Sequence, residues 1–207
     1  MTFKMPSRAL ISILVFTAFA PLGTLMLAPA SRAQVNAVQI DPARTKIEYS
    51  LSGTMHTVHG TFALKSSAIR FDPSTGKMDG SIVADAMSGE SGNGNRDAKM
   101  HREILESSKF TEIVFKPMQM SGALAAEGVS KLRVSGRFRL HGQEHDVTLP
   151  VEVKADGGNL EITAQMDIPY VQWGLKNPSN FFLRVSETVG IEIHAAGRLQ
   201  PGDAPHL

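Results

Sequence analysis

His56 and His59, three residues apart, and His141 and His145, four apart, are the spacings in this 207-residue chain from which a metal site or general base could be assembled. A zinc pair four residues apart needs a helix, where both rings share a face, whereas His141 and His145 flank Gly142, a turn residue. His56 and His59 sit in a stretch that alternates like a strand, which sends them to opposite faces. The register expected around Gly142 turns His141 and Glu144 outward and His145 inward above Leu140. His101 falls in the one helical stretch, and His194 on the last strand with Glu192 on the same face. Arg96-Asp97 could act in catalysis or hold a head group, but at a helix start the pair more simply anchors that start to neighbouring loops. Gly89 to Gly94 is glycine-rich, yet no Lys-Ser or Lys-Thr follows as a phosphate-binding loop requires, and no nucleophile elbow or paired-carboxylate motif occurs. With no cysteine there is no thiol nucleophile, thiolate metal site, disulfide or lipid-anchor cysteine. The expectation is no catalytic residue, no metal and no cofactor.

The elements that must position any site are strands. Lys131 to Lys154 reads as one long hairpin turning at Gly142-Gln143, with Gly at the first central position as a type II′ turn needs. Counting outward pairs Phe138 with Val147, Gly136 with Leu149, Val134 with Val151 and Leu132 with Val153 on an apolar face. Arg139 with Asp146, Arg133 with Glu152 and Arg137 with Thr148 fall on the other. A slip of one residue would mix the faces. After the loop Ala155 to Gly158, Leu160 to Ile168 alternates again, placing Val153 opposite Leu160, Val151 opposite Ile162, Leu149 opposite Ala164 and Val147 opposite Met166. Pro150 cannot donate a ladder bond and predicts a bulge or a local break.

Further strands are expected over Lys46 to Gly53, Val58 to Leu64, Ala68 to Phe71, Gly80 to Ala86, Ile113 to Met120 and Val189 to Leu199. A single amphipathic helix is expected over Arg96 to Ser107, capped by Asn95, with Met100, Ile104 and Ser107 as its stripe. A second irregular region, Trp173 to Phe182, carries the only Trp and two adjacent Phe. An antiparallel meander with one oily face must stack two sheets or close into a barrel. About eight closed strands leave an interior that side chains just fill or that holds one ligand.

At the N-terminus, Lys4 and Arg8 precede an apolar run from Ala9 and then small residues, the order of a secretory signal peptide. Ser31-Arg32-Ala33 is the preferred cleavage site and Ala28-Pro29-Ala30 the alternative. Removing residues 1–33 takes away Lys4, Arg8 and Arg32 and changes the formal charge from +1 to −2, so the basic pI is no argument for nucleic acid. Residues 34–200 then form one barrel domain and Pro201 to Leu207 a loose tail. An outer-membrane barrel would need an apolar outer face, which the charged side of the Lys131 to Lys154 hairpin denies.

Gly60-Thr61-Phe62, Ile69 to Pro73, Arg96-Asp97 with Met100 and Leu105, Phe110 with Ile113 and Phe115, Gly136 to Gly142, and Leu149-Pro150-Val151 follow one another in an order that resembles the YceI-like family. The resemblance covers nearly all of the chain beyond the leader. It implies an all-β fold, a single extended lipocalin-like antiparallel barrel with one short helix, exported and enclosing a long hydrophobic pore. It further implies binding of polyisoprenoids or other amphiphiles without catalytic residues. The chain departs from the family pattern at Tyr170 to Ser179 and in the Gly- and Asn-rich stretch Gly89 to Asn95.

Inward parity gives the candidate ligand-binding wall: Ile47, Tyr49, Leu51, Phe62, Ile82, Phe115, Val134, Phe138, Val147, Leu149, Val151, Ile162 and Met166, with Trp173 from the irregular region. The leading expectation is a periplasmic or secreted, non-enzymatic carrier of a polyisoprenoid, isoprenoid quinone or fatty-acid-like lipid. The alternatives are a side-chain-filled barrel serving the envelope structurally or under stress, and a His-dependent metal or quinone-linked redox factor. The expected partner is a hydrophobic small molecule or lipid, with no nucleic acid, no stable membrane insertion once the leader is removed, and a homodimer as an option for the assembled state.

Overall fold

A computed structural model describes residues 1–2, 35–181 and 183–201. Apart from Met1 and Thr2, the expected leader lies outside the described residues, as does the tail beyond Pro201. The alternating stretches form β1 Asn36–Ser52, β2 Thr57–Phe62, β3 Leu64–Phe71 and β4 Met78–Asp85, followed by a 3-10 turn at Ala86–Ser88. Helix α1, Gly94–Lys99, runs into a π-helical turn at Met100–Ile104. There follow β5 Glu112–Ser121, β6 Gly128–Leu140, β7 Gln143–Asp156, β8 Asn159–Ile168 and β9 Val189–Pro201. Each strand pairs antiparallel with its neighbours, and β1 pairs with β9 to close the sheet. β3 covers one end of β1 and β2 the other, so these two strands share one stave of an eight-strand barrel.

Closure buries the inward parity of every stave. Along β6 the even residues Leu132, Val134, Phe138 and Leu140 are buried, while Lys131, Arg133 and Arg137 are exposed. The strands are therefore half-buried ribbons whose pattern sets which side faces in. One end of the barrel carries the short turns 72–77, 122–127 and 157–158; the other carries loop 53–56, helix α1 and the long segment 169–188. No helix among the described residues is long and apolar enough to cross a membrane.

The hairpin keeps the expected faces but not the expected register. Leu140 pairs with Gln143, and His141 and Gly142 are the central residues with φ of 51° and 78°, as in a type I′ turn. Phe138 therefore faces His145, Gly136 faces Val147, Val134 faces Leu149 and Leu132 faces Val151, two residues from the expected pairing. The next hairpin moves the same way: Gly157 and Gly158 turn with φ of 53° and 80°, and Val153 faces Ile162 while Val151 faces Ala164. A slip of two preserves side-chain parity, so alternation alone cannot detect it. The charge pairs change with it. Arg137 Nη1 lies 3.2 Å from Glu144 and its Nε 3.4 Å from Asp146, Arg139 reaches Glu112 at 3.6 Å, and Arg133 stands opposite Pro150.

Pro150 acts on one side only. β7 passes through it without a bulge against β6, but pairing with β8 stops at Val151 and Ala164. Beyond that point β7 and β8 separate towards the helix-bearing end. The helix begins two residues before the expected start: the Asn93 side chain, not that of Asn95, accepts the Arg96 backbone N–H at 3.1 Å. It ends at Ile104 because Glu106 takes φ of 45°, and Ser107 is fully buried outside it.

Candidate functional site

The barrel encloses a cavity of about 560 Å³ running along its axis. Its lower part is bounded by Val38, Phe71, Leu132, Val153 and Leu160, all buried, above the short turns. At the helix-bearing end the lining includes the exposed residues His56, Lys99 and Asn180, so the cavity meets the surface there. A tube closed below and open above follows from the topology, since only one end has loops long enough to frame a mouth.

Of the wall residues expected from parity, Ile47, Tyr49, Leu51, Phe62, Ile82, Phe115, Val134, Phe138, Leu149, Val151, Ile162 and Met166 line this cavity. Val147 and Trp173 are not among its lining residues. Val147 is half-buried against the core beyond Val151, where pairing with β8 has ended. Trp173 fills the resulting seam: its ring stacks on His145 at 4.0 Å and 3° and leans on Phe138 at 5.9 Å. His145 is thus a stacking partner whose Nε2 is buried with no hydrogen-bond partner among the described residues.

The parity argument missed the lower tube because β1 was begun at Lys46 and the inward residues of Ala68 to Phe71 were not added to the wall. Val38, Ile40, Ile69 and Phe71 continue the same alternation into the closed end. The interruption is Asp41 to Arg44, an exposed bulge in β1: Ala43 N–H donates to Asp41 Oδ1 at 3.0 Å and the Thr45 hydroxyl to Asp41 O at 2.7 Å. At the mouth Met100 and Ile104 of the expected helix stripe line the cavity, whereas the lining residues of loop 53–56 and segment 169–188 carry no periodic signal.

The mouth is framed by loops tied through their own polar groups. Arg96 donates to Ser91 Oγ at 2.7 Å and to Ser91 O at 3.0 Å, and Asp97 accepts from the Ser91 N–H at 2.9 Å and from its hydroxyl. Desolvation opposes the Asp97 charge, but these bonds and the adjacent Arg96 outweigh it and hold the carboxyl below its usual range. The pair thus fixes the helix to the preceding loop, while Arg96 also borders the cavity. In segment 169–188 the Tyr170 hydroxyl donates to Ser186 O at 2.7 Å, and burial, helped by Glu187, pushes its pKa up to about 12. Asn177 Nδ2 donates to Val185 O at 3.3 Å, and Val185 N–H donates to Ser179 Oγ at 2.8 Å.

The histidines are dispersed. His56 borders the mouth and His59 faces out on β2. His101 bridges Ser107 Oγ at 2.7 Å and Gly89 O at 2.8 Å. That Ser-His distance would suit an activated hydroxyl, but Ser107 has no exposed surface and the far ring nitrogen faces a carbonyl, so the contact clamps the loop. His141 does not point outward as expected: it lies in the turn, half-buried against Phe110, with Nε2 3.2 Å from Glu106. His194 contacts Glu192 at 3.0 Å on the outer face, as their spacing indicated. Among the described residues no three of His, Asp and Glu converge as metal ligands.

Solved structures share this architecture. Burkholderia cenocepacia BcnA is similar at TM-score 0.64 and 18% identity, over 76% of this chain and 98% of that one. A polyisoprenoid binding domain from Saccharophagus degradans, implicated in plant cell wall breakdown, is similar at TM-score 0.57 and 15% identity, over 79% and 98%. A Campylobacter jejuni YCEI protein is similar at TM-score 0.53 and 15% identity, over 64% and 80%. No curated protein matches the chain by sequence. The YceI-like domain model matches residues 38–196, most of the chain, and the protein belongs to the YceI-like family.

Proposed function

We propose that this protein is an exported, non-enzymatic carrier that holds a long apolar amphiphile, a polyisoprenoid, isoprenoid quinone or fatty-acid-like lipid, inside its barrel. The observation that carries the reading is the tube itself: about 560 Å³ walled by aliphatic and aromatic side chains, closed below and opening where His56, Lys99 and Asn180 stand. That volume lies within the range of small-ligand sites. An apolar chain in it gains ~0.8 kcal/mol per CH₂, so affinity arises along the wall rather than at one residue. The wall residues from Ile47 to Met166 are the proposed contacts, and the polar mouth suits a head group left near water. The Saccharophagus degradans domain, similar in fold and described as polyisoprenoid binding, supports this substrate class.

The outer face supports work in water rather than within a bilayer. Arg137, Glu144, Asp146, Lys154 and Glu161 project from adjacent staves and pair across it. Residues 1–33 are proposed to direct export and to be cleaved after Ala33, which N-terminal sequencing of the exported protein would check.

The test is native mass spectrometry of protein purified from cells, coupled to organic-solvent extraction. The expected result is a stoichiometric lipid adduct whose mass matches the extracted molecule. Only the apo mass, together with no change in Trp173 emission or in melting temperature on adding farnesol, a quinone or palmitate, would refute the carrier reading.

A further inference from the structure

The mouth displays two large apolar side chains to solvent, Met55 at 82% and Phe181 at 92% exposure. Both stand in turns whose flanking residues are hydrogen-bonded to each other. Gly53 N–H donates to His56 O at 3.0 Å, closing the turn that carries Met55. Asn180 N–H donates to Leu183 O at 2.9 Å and Leu183 N–H to Asn180 Oδ1 at 2.8 Å, closing the turn that carries Phe181. The two turns are clasped into one rim, because Thr54 N–H donates to Arg184 O at 2.9 Å and Arg184 N–H to Thr54 Oγ1 at 3.1 Å. His56, Asn180 and Leu183 of the same turns line the cavity, so the tips border its opening.

The charged residues of the two clasped turns are all basic. Residues 53–58 and 174–186 contain Lys176 and Arg184 and no Asp or Glu, and Lys99 of α1 is exposed beside them. At the same end Asp97 is bonded to Ser91 and Glu103 to Arg102 at 2.6 Å, and Glu90 is exposed in the loop before α1. Glu187 lies just beyond the clasp. The closed end differs, its turns carrying Asp72 and Glu127 against Lys77, with Asp156 ending β7 beside them. Exposed apolar tips within a cationic collar are what an interfacial anchor needs: the side chains enter the head-group boundary while the cations meet lipid phosphates.

We infer that the Met55–Phe181 rim docks on the surface of an anionic lipid bilayer, mouth towards the membrane, so that the amphiphile passes between bilayer and tube without crossing water. The inference rests on the carrier reading for its purpose but has its own readout. Vesicles of phosphatidylcholine alone and of phosphatidylcholine with phosphatidylglycerol are sedimented with the leaderless protein, its Met55→Ser/Phe181→Ser variant and its Lys176→Glu/Arg184→Glu variant. Circular dichroism confirms that all three are folded, which the exposure of the altered residues favours.

Binding to phosphatidylglycerol vesicles is expected, reduced about tenfold by either double substitution and by raised salt, and weak on phosphatidylcholine alone. Lipid carried inside the barrel should be unaltered in the variants. Equal sedimentation of wild type and variants, no sedimentation at all, or a lipid-independent dimer that buries Phe181 would overturn the docking surface. Lipid retained without vesicle binding leaves the carrier reading standing and removes docking alone. Rim-dependent vesicle binding by a protein that carries no lipid keeps docking and removes the carrier.

Discussion

Gly60 stands opposite Tyr49 on the inner face, and a Cβ there would lie 2.2 Å from Glu90 O and 2.4 Å from the Tyr49 ring. Gly136, opposite Pro117, makes room for the diagonal Phe115: a Cβ there would lie 2.2 Å from Lys116 O and 2.9 Å from the Phe115 ring. These glycines let two wall aromatics lie flat across a neighbouring stave, which is how Tyr49 stays 6% exposed and meets Phe62 at 5.5 Å. Burial in turn raises the Tyr49 phenol above its ordinary pKa. Because one obstructing atom is the Glu90 backbone carbonyl, turning the ring aside would not relieve the clash. Gly60→Ala is therefore expected to lower stability by about 1–3 kcal/mol, the usual range for overpacking, in urea unfolding followed by Trp173 emission. An unchanged midpoint would mean that the ring is not held against the strand. At this scale the sequence was readable in kind but not in consequence: Gly60 precedes Thr61-Phe62 in plain view, yet its ring partner is set by pairing with β1.

The turn between β3 and β4 shows how an element depends on a single acid. Asp72 Oδ1 accepts from the Ser74 N–H at 2.8 Å and its hydroxyl at 2.6 Å, and Oδ2 from the Thr75 hydroxyl at 2.8 Å. These hydrogen bonds, that from the Ser74 hydroxyl foremost, lower the carboxyl pKa to about 2. A depressed folded-state pKa stabilises above the unfolded value, near 4, and that stabilisation is lost as pH falls towards 2. Asp72→Asn should therefore melt below wild type at neutral pH, and the gap should narrow as pH falls from about 4 to about 2. A gap independent of pH would assign the turn's stability to backbone shape alone. Asp72-Pro73-Ser74-Thr75-Gly76 was legible as a turn because its residue types bond locally. The turns at His141-Gly142 and Gly157-Gly158 were located only to within two residues, since a glycine pair or an X-Gly pair fits more than one hairpin geometry. Asn93 rather than the expected Asn95 caps α1, its side chain accepting the Arg96 N–H while the Arg96 side chain bonds to Ser91.

For the whole molecule, alternation specified which residues face inward, and closure of β1 on β9 turned that list into a wall. Whether the inside is filled depends on side-chain length around a circumference, which no single strand encodes. Ala84, Ala164 and Ala195 line the tube where longer residues would fill it, and they are spread over three strands. Ala195 pairs with Ile162 and Thr45, just above the floor formed by Val38, Phe71 and Leu160. A phenylalanine there would occupy the lower tube. In a close-packed interior such an insertion costs about 1–3 kcal/mol. In an open tube the ring finds space and apolar contact, so the melting temperature of Ala195→Phe should stay level or rise. A chain that enters tail-first would then meet a higher floor. Over a series of saturated fatty acids, the longest chain that wild type retains should be released by Ala195→Phe while shorter ones still bind. A marked loss of stability would identify a packed core, and an unchanged length preference in a stable variant would mean that the tail does not reach the closed end.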